Sequence, residues 1–513
     1  MSGITRAPLF EPLAGAQLII LTIALPLATF MQVVDTTIAN VAVQTISGNL
    51  GASYSQGTWI ITSYSVANAI ILPLTGRMGQ RFGEKRLFLW SVALFEGFSM
   101  ACGLSKDLTT LVIFRIAQGA VGGPMIPLAQ SLLMNNYPRE KQVMALALWT
   151  MTVSVAPVFG PIMGGYISDN YHWSWIFFIN VPIGVVAVLL ANQALAGRET
   201  KISHPHWSAI SFGLLALGVG TLQMTLDLGK DLDWFNSPTI RVMGAIAALG
   251  LFFLIVWEKG NKNALIDLSL FKYRNFSVGV ALVSLGMMLY LGTVVLIPLL
   301  LQTRYGYTAT WAGLATAPIG ILAIVMLPLI GHYSKYLDMR VVITVGFAVF
   351  ATTMHMRTGF SPNMDIKYVL IPQLIQGIGL GCFFVPITSL AFIGMDPTKI
   401  AGASGVYNCS RTLFSAIGTS LFTTMWERRE AVHHVRLTGL VDDLNPLVAE
   451  GLERMTGLGL TQEQAMGYLE RQITNQGFIV AANEIFQLCS YSFIFLIFIV
   501  WIARPAAPRP SSP

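Results

Sequence analysis

The chain contains 513 residues, of which 54% are hydrophobic and 11% are charged, and its mean hydropathy is +0.64. This composition excludes a soluble globular protein of this length and indicates an all-α polytopic membrane protein. The net charge of +6 is explained by basic loops between apolar runs, and nothing in the sequence indicates a nucleic-acid partner.

Fourteen mainly apolar runs are each close to the ~20 residues that cross the hydrocarbon of a bilayer as a helix. The first run is too long for a cleavable signal and lacks a small-residue cleavage site, so we expect it to be the first span. The runs lie approximately at 16–42, 57–75, 87–104, 108–133, 142–167, 175–196, 208–228, 240–257, 276–301, 311–330, 341–358, 368–393, 403–425 and 484–503.

Basic residues indicate how these spans are oriented. The loops after the even-numbered runs carry most of the Lys and Arg residues between spans. The short loops on the other side hold Lys106, Lys230, Arg304 and Lys367. The positive-inside rule therefore predicts that both termini are cytoplasmic.

Landmarks of the first half recur in the second half in the same order. The dipeptide Thr-Trp opens span two at 58–59 and span ten at 310–311. The dipeptide Gln-Gly in span four, at 118–119, is matched in span twelve at 376–377. Such a repeat is typical of transporters built from two related bundles.

The repeat predicts two six-helix bundles, within residues 1–200 and 263–513. Spans seven and eight then form a two-helix insertion at 201–262. The stretch 426–483 is polar and has apolar residues at helical spacing, so we expect it to form an external helical loop.

Charged residues inside the spans are the candidates for proton coupling. A carboxylate in low dielectric must be paired or protonated, so we interpret Asp35 in span one as a proton carrier, with a structural cap as the alternative. Arg115 in span four cannot lose its charge and needs either a carboxylate, which Asp35 or Glu96 could supply, or several carbonyl groups. A pair with a carboxylate would be either a protonation switch or a permanent link between helices. Asp227, at the outer end of span seven, is the fourth candidate. The second half has Gln373 where the first has Arg115, which predicts that this charge is confined to one bundle.

Residues 156–167 read A-P-V-F-G-P-I-M-G-G-Y-I, which is an unusually high content of proline and glycine for a membrane-spanning segment. Proline removes a helical hydrogen bond, and glycine lets a neighbouring backbone approach closely. We predict a kinked, tightly packed hinge helix, a feature suited to transport. Its key residues are Pro157, Gly160, Pro161, Gly164 and Gly165.

The loop G-R-M-G-Q-R-F-G-E-K-R between spans two and three is tight and basic. Its charges hold the loop in the cytoplasm, and it is also a candidate latch between helices. The residues that we single out are Gly76, Arg81, Gly83 and Lys85.

The abundant Met and Phe residues would allow a cavity that accepts varied apolar molecules. The candidates for substrate binding are Met31, Gln32, Gln118, Trp149, Asn408 and Arg411. The sequence has no G-x-x-x-x-G-K-[ST] phosphate loop, no H-E-x-x-H motif and no clustered catalytic groups. We therefore expect no cofactor, metal or enzymatic activity, and a proton gradient as the energy source.

Several of these segments resemble the major facilitator superfamily, specifically its fourteen-span drug/proton antiporters of the EmrB type. The resemblance covers nearly the whole chain. Its loop motif has an acid where this chain has Gln80, which argues against a charge relay in that loop. The matching segments are V-V-D-T-T-I-A-N-V-A-V (33–43), R-I-A-Q-G (115–119), G-P-I-M-G-G (160–165), W-I-F-F-I-N-V-P-I-G (175–184), G-Y-T-A-T-W-A-G-L (306–314) and N-Q-G-F-I-V-A-A-N-E-I-F (475–486).

The resemblance implies a multidrug exporter of the bacterial inner membrane that exchanges hydrophobic or amphiphilic toxic compounds for protons. It also implies a tripartite pump with a periplasmic EmrA-type adaptor and an outer-membrane channel, for which 426–483 would be a docking surface. Two alternatives remain at this point. The chain could be a dedicated exporter of one metabolite, such as a siderophore or fatty acid, or a non-transporting membrane receptor.

Overall fold

The computed structural model describes residues 10–203, 208–261, 264–334, 336–439, 441 and 446–505. The described chain is helical throughout and contains no strand. Each of the fourteen predicted spans coincides with a long helical segment. These segments are α1 (Gly15–Asn49), α2 (Trp59–Phe82), α3 (Glu84–Gly103), α4 (Leu108–Asn136), α5 (Gln142–Asn170), α6 (Trp175–Ala194), α7 (Ala209–Leu228), α8 (Pro238–Gly260), α9 (Arg274–Arg304), α10 (Trp311–Tyr333), α11 (Met339–Gly359), α12 (Lys367–Phe392), α13 (Ile400–Thr438) and α14 (Gln462–Val500).

Eleven of the described segments are long and apolar enough to cross a bilayer by length and composition alone. The other three, α3, α5 and α13, are also long enough, at 20, 29 and 39 residues. α3 begins with three charged residues and α13 carries a polar extension, which lowers their mean apolarity.

The first six segments pack into one bundle and the last six into another. In the first bundle, α1 packs mainly against α5 and α6, and α2 packs against α4. In the second, α9 packs against α13, and α12 lies between α10 and α11. Phe347, Phe350, Phe383 and Phe493 form an aromatic cluster in the core of the second bundle.

α7 and α8 form a pair that lies beside both bundles. Their backbones approach at Gly218 and Gly250, where an added Cβ would lie 2.8 Å from the opposite backbone. α7 contacts both α2 and α13. On the side of α13, the Ser420 hydroxyl donates to the Leu226 carbonyl at 2.8 Å, and Lys230 Nζ lies 2.9 Å from Glu427 Oε1.

The two bundles meet at one end of the molecule, which the distribution of basic residues predicts to be the cytoplasmic end. Gly76 of α2 lies against the backbone of Gly402 in α13, so a side chain at Gly76 would overlap it. Gln130 of α4 accepts hydrogen bonds from the Ser404 hydroxyl and, at 2.8 Å, from Asn408 Nδ2. α5 packs against α10 near Gly331 in the same layer. These contacts close the space between the bundles at this end.

The stretch 426–483 is built from extensions of two spans. α13 continues to Thr438 and α14 begins at Gln462, with the short helix Pro446–Gly457 between them. Both helices extend past the predicted span ends at 425 and 484. The extensions are tied together where Arg429 donates to both carboxylate oxygens of Glu484, at 2.7 and 2.8 Å.

Candidate functional site

Asp35 and Arg115 form an ion pair inside the first bundle. Arg115 Nη1 lies 2.7 Å from Asp35 Oδ2, and both side chains are 0% exposed. Of the two carboxylates that the sequence offered to Arg115, the structure selects Asp35. A buried pair of this kind is stable only when each charge is also hydrogen-bonded.

The Asp35 carboxylate accepts from three side chains on two other helices. Besides Arg115, Asn180 Nδ2 of α6 donates to Oδ1 at 2.7 Å, and Gln118 Nε2 of α4 donates to the same oxygen at 3.2 Å. Asn180 also donates to the Ser99 hydroxyl of α3 at 3.1 Å. Asp35 therefore joins α1 to α4 and α6, and through Asn180 to α3. Neither Asn180 nor Ser99 was among the predicted residues, although Asn180 lies inside the motif at 175–184.

The Arg115 guanidinium is held by neutral groups on its other edges. It donates to the Ile60 carbonyl at 3.1 Å and to Gln118 Oε1 at 2.8 Å, and it lies 4.3 Å from the centre of the Tyr64 ring. Gln32 reaches the same region, since its Nε2 donates to the Gly122 carbonyl at 3.0 Å. These contacts orient the cation but leave Asp35 as its counter-charge.

The predicted hinge helix packs directly on α1, one turn beyond Asp35. A Cβ at Gly160 would overlap Thr37, and one at Gly164 would lie 3.3 Å from the Ile38 carbonyl oxygen. Gly165 has nothing within 4 Å in the direction of a Cβ. The helix is continuous from Gln142 to Asn170. The side chains of Pro157 and Pro161 lie outside the described part of the chain.

Glu96 lies near the ion pair without a hydrogen bond to it, and Asp227 lies on a different helix. Glu96 of α3 is 6% exposed and packs against Gly184 of α6, where a Cβ would overlap its carboxylate. Both carboxylate oxygens are buried, and neither has a hydrogen-bond partner among the described residues, but Glu96 is close enough to Asp35 for the two carboxylates to interact electrostatically. Asp227 lies on α7 and accepts from Gln223 Nε2 at 2.9 Å. The structure therefore places Asp35, Arg115 and Glu96 in one region of the first bundle and Asp227 elsewhere.

The loop motif is organised by a carboxylate that the sequence analysis missed. Gly83 has φ +85°, which glycine adopts without strain, and it ends α2 and begins α3. Glu199 accepts hydrogen bonds from the backbone amides of Lys85 at 3.1 Å and Arg86 at 3.0 Å, so it caps the start of α3. Gln80 takes no part in this cap; its carbonyl accepts from the amide of Ser203 at 2.8 Å.

Other members of the loop motif contact different parts of the molecule. Arg81 lies 5.7 Å from the centre of the Phe82 ring, and Gly76 contacts the second bundle as described above. Glu84 is buried and accepts from the Ser131 hydroxyl at 2.7 Å. Glu84 was also absent from the predicted residues.

The six predicted substrate-binding residues occupy four different environments. Met31 and Trp149 are 0% and 3% exposed in the core of the first bundle. Gln32 and Gln118 belong to the polar network around the ion pair, and Asn408 to the contact between the bundles. Arg411 on α13 is half-buried. Of the six residues, Arg411 is the least buried.

The prediction that buried charge is confined to the first bundle was wrong. Arg357, near the end of α11, is 0% exposed in the second bundle. Its Nη2 donates to Gln373 Oε1 at 2.8 Å and to Gln376 Oε1 at 2.5 Å. Gln373 is the residue that the repeat aligns with Arg115, so the second bundle receives its arginine from a neighbouring helix instead.

Comparison with known proteins identifies the family. Residues 25–419 match the family described as the Major Facilitator Superfamily. The multidrug export protein EmrB of Escherichia coli K12 is 54% identical over 496 residues, covering 96% of this chain and 97% of that protein. The fatty acid resistance protein FarB of Neisseria gonorrhoeae is 49% identical over 496 residues, covering 97% and 98%.

Solved structures show the same fold at low sequence identity. The proton:xylose symporter XylE superposes with a TM-score of 0.61 at 14% identity, covering 95% of each chain. The human organic anion transporter MFSD10 superposes with a TM-score of 0.59 at 11% identity, covering 95% of this chain and 100% of that one. With its fourteen helical segments and two bundles, the chain belongs to the major facilitator superfamily.

Proposed function

We propose that this chain is a proton-driven exporter of hydrophobic or amphiphilic toxic compounds, located in the inner membrane of a bacterium. The observation that carries the proposal is the enclosed Asp35–Arg115 pair, a titratable acid held between helices of one bundle. The 54% identity to a protein named for multidrug export supports the substrate class.

Protonation of Asp35 would change how α1 is held. The carboxylate accepts from Arg115, Gln118 and Asn180, which lie on α4 and α6. A neutral acid holds these donors less tightly, because hydrogen bonds to an ionised acceptor are about twice as strong as bonds to a neutral one. Gly160 of α5 packs on the same part of α1. A shift of α1 would therefore be passed to α5, whose other end contacts the second bundle.

The proton gradient supplies enough energy for useful export. One charge moving down a membrane potential contributes about 2.3 kcal/mol per 100 mV, and about 1.4 kcal/mol corresponds to a tenfold concentration ratio. One proton per cycle would thus support a gradient between one and two orders of magnitude. Glu96, buried between α3 and α6, is the candidate for holding a second proton.

The contacts at the cytoplasmic ends favour an outward-facing state. In that state Asp35 would exchange its proton with the outside, and the contact of Gly76 with Gly402 would have to open before substrate could enter from the cytoplasm. The bundles 1–200 and 263–513 would rock as units, with the insertion 201–262 bridging α2 and α13.

We also propose that a periplasmic adaptor of the EmrA type binds the extension 426–483 and links this protein to an outer-membrane channel. The extension carries apolar side chains on its surface: Val435, Leu447 and Leu458 are 71%, 76% and 81% exposed. Deleting the short helix 446–457 should abolish co-purification of the adaptor while leaving transport in proteoliposomes intact. Co-purification that survives the deletion would contradict this docking surface.

Efflux from proteoliposomes with an imposed pH gradient tests the proposed function. The protein should export a cationic dye, a phenolic compound or an uncoupler against a gradient only when protons can flow the opposite way. Asp35→Asn should abolish this accumulation. The matched control is Asp231→Asn, which removes an exposed acid of the loop between α7 and α8 and should export normally. Uphill export at the normal rate by Asp35→Asn would defeat the assignment.

A dedicated exporter of fatty acids is the second candidate, because FarB, a protein named for fatty acid resistance, is 49% identical over nearly the whole chain. The same assay separates the two functions when medium-chain fatty acids are included with the dyes. Export of fatty acids without any dye would favour the dedicated exporter.

A further inference from the structure

The second bundle contains a counterpart of the Asp35–Arg115 network that lacks a negative charge. Gln373 and Gln376 lie three residues apart on α12, as Arg115 and Gln118 do on α4, and Arg357 follows Ser99 by the same interval along the chain. The two networks therefore occupy related positions in the two bundles. Only the first contains a carboxylate.

Every hydrogen-bond partner of Arg357 among the described residues is neutral. Two amide oxygens accept from Nη2, as described above, and Met354 Sδ accepts from Nη1 at 3.5 Å. The Phe486 ring lies 6.0 Å from the guanidinium carbon. A guanidinium stays protonated at any physiological pH, so this site holds a fixed positive charge that is 0% exposed.

Two donors in this network have no acceptor within the described chain. They are Nε of Arg357 and Nε2 of Gln376, and both are buried. Exchanging the oxygen and nitrogen of the Gln376 amide would not satisfy these donors, because the NH₂ group would then face the guanidinium, which is itself a donor. The two side chains are already bonded to each other, so one ion could reach both free donors. Buried donors beside an unpaired cation are the features of an anion site.

We propose that the Arg357–Gln376 network binds one monovalent anion, either a halide ion or the carboxylate of a small acid. The anion would accept from Arg357 Nε and Gln376 Nε2 and neutralise the second bundle, as Asp35 neutralises the first. Arg357 lies in the last turns of α11, next to the short loop before α12, so the path from the outer solution is short. The site does not depend on which compound the protein exports.

Thermal unfolding of the purified full-length protein tests the proposal. Sodium chloride and sodium acetate are each compared, at constant ionic strength, with the sodium salt of MES, a bulky sulfonate that is neither a halide nor a carboxylate. Ligand that binds only the folded state raises the unfolding midpoint with saturation, so we expect a rise with chloride, acetate or both. Which salt acts identifies the halide or the carboxylate. No rise with either salt would overturn the proposal.

Two variants test whether the rise in the unfolding midpoint comes from binding at Arg357 and Gln376. Gln376→Glu puts a carboxylate beside Arg357, so its midpoint should no longer respond to chloride or acetate. Arg357→Gln should also lose the response. The matched control is Arg241→Gln, an exposed arginine of α8, which should respond like the wild type. Equal responses in all four proteins would show that the ion acts elsewhere and would overturn the assignment.

Crystals of the wild-type protein grown with bromide give a second measurement that does not depend on the variants folding. An anomalous peak beside Arg357 supports a halide site. For a carboxylate, crystals grown with acetate replace those grown with bromide, and the bound ion is detected as a difference-density peak beside Arg357. Peaks only at other positions overturn the proposal.

Discussion

Replacing Asp35 and replacing Arg115 should destabilise the protein in different ways, because only one of the two side chains can become neutral when its partner is removed. Asp35→Asn leaves Arg115 charged, because a guanidinium cannot release its proton. Arg115→Met leaves Asp35 without its counter-charge, and this carboxylate can become neutral by binding a proton. The asymmetry is specific to a pair that is completely enclosed, and both side chains are 0% exposed.

Removing one partner of a buried ion pair costs about 3–5 kcal/mol. In Asp35→Asn that cost should be nearly independent of pH between 5 and 8, since the remaining acceptors of Arg115, the Ile60 carbonyl and Gln118 Oε1, do not titrate. In Arg115→Met the folded state binds a proton that the unfolded chain has released at neutral pH. Its stability should therefore rise as the pH falls, by up to about 1.4 kcal/mol per pH unit.

Unfolding free energies measured by titration with denaturing detergent at pH 5 and pH 8 provide the assay. Asp35→Asn/Arg115→Met should be less destabilised than the sum of the two single variants, by an amount similar to the cost of one broken pair. Asp231→Asn, on the surface, is the control for general effects of losing an acid. Equal pH dependence of the two single variants, or additive losses in the double variant, would refute this account of the site.

The remaining predictions concern packing and capping. Gly160→Val should abolish transport because its side chain would push α5 away from α1, whereas Gly165→Val, where a Cβ meets nothing within 4 Å, should transport normally in the proteoliposome assay. Gly76→Val should separate the cytoplasmic ends of α2 and α13 and increase labelling of a cysteine at position 130 by a maleimide from the cytoplasmic side; Gly97→Val, again with nothing within 4 Å, should leave the labelling unchanged. Glu199→Ala should lower the unfolding free energy by about 0.5–2 kcal/mol, because two amides at the start of α3 lose their cap, while Glu199→Gln should recover part of it.

Hydropathy predicted the spans well because the thickness of the hydrocarbon fixes how many apolar residues a helix needs there. Hydropathy does not mark where the helices α13 and α14 end, because they continue past the predicted spans to Thr438 and from Gln462. In that polar stretch the signal for helix is the spacing of the apolar residues rather than their number.

Part of the candidate site could also be predicted from the composition of single spans. A charge inside an apolar run is easily recognised, so Asp35 and Arg115 were identified from sequence. Asn180 and Ser99 are neutral, and nothing in their local sequence indicates that they lie near Asp35. Arg357 was missed because it falls at the end of a predicted span, where a basic residue normally faces the interface.

The sequence by itself determined the number of spans and the presence of an acid and a base in the first bundle. These properties depend on composition and local periodicity, which the bilayer enforces one segment at a time. Tertiary structure alone decided that Asp35 rather than Glu96 pairs with Arg115, that Glu199 caps α3, and that Arg357 is enclosed without a carboxylate. Such contacts join residues from different helices, and their energy depends on distances of a few ångströms that only the packing of the bundles sets.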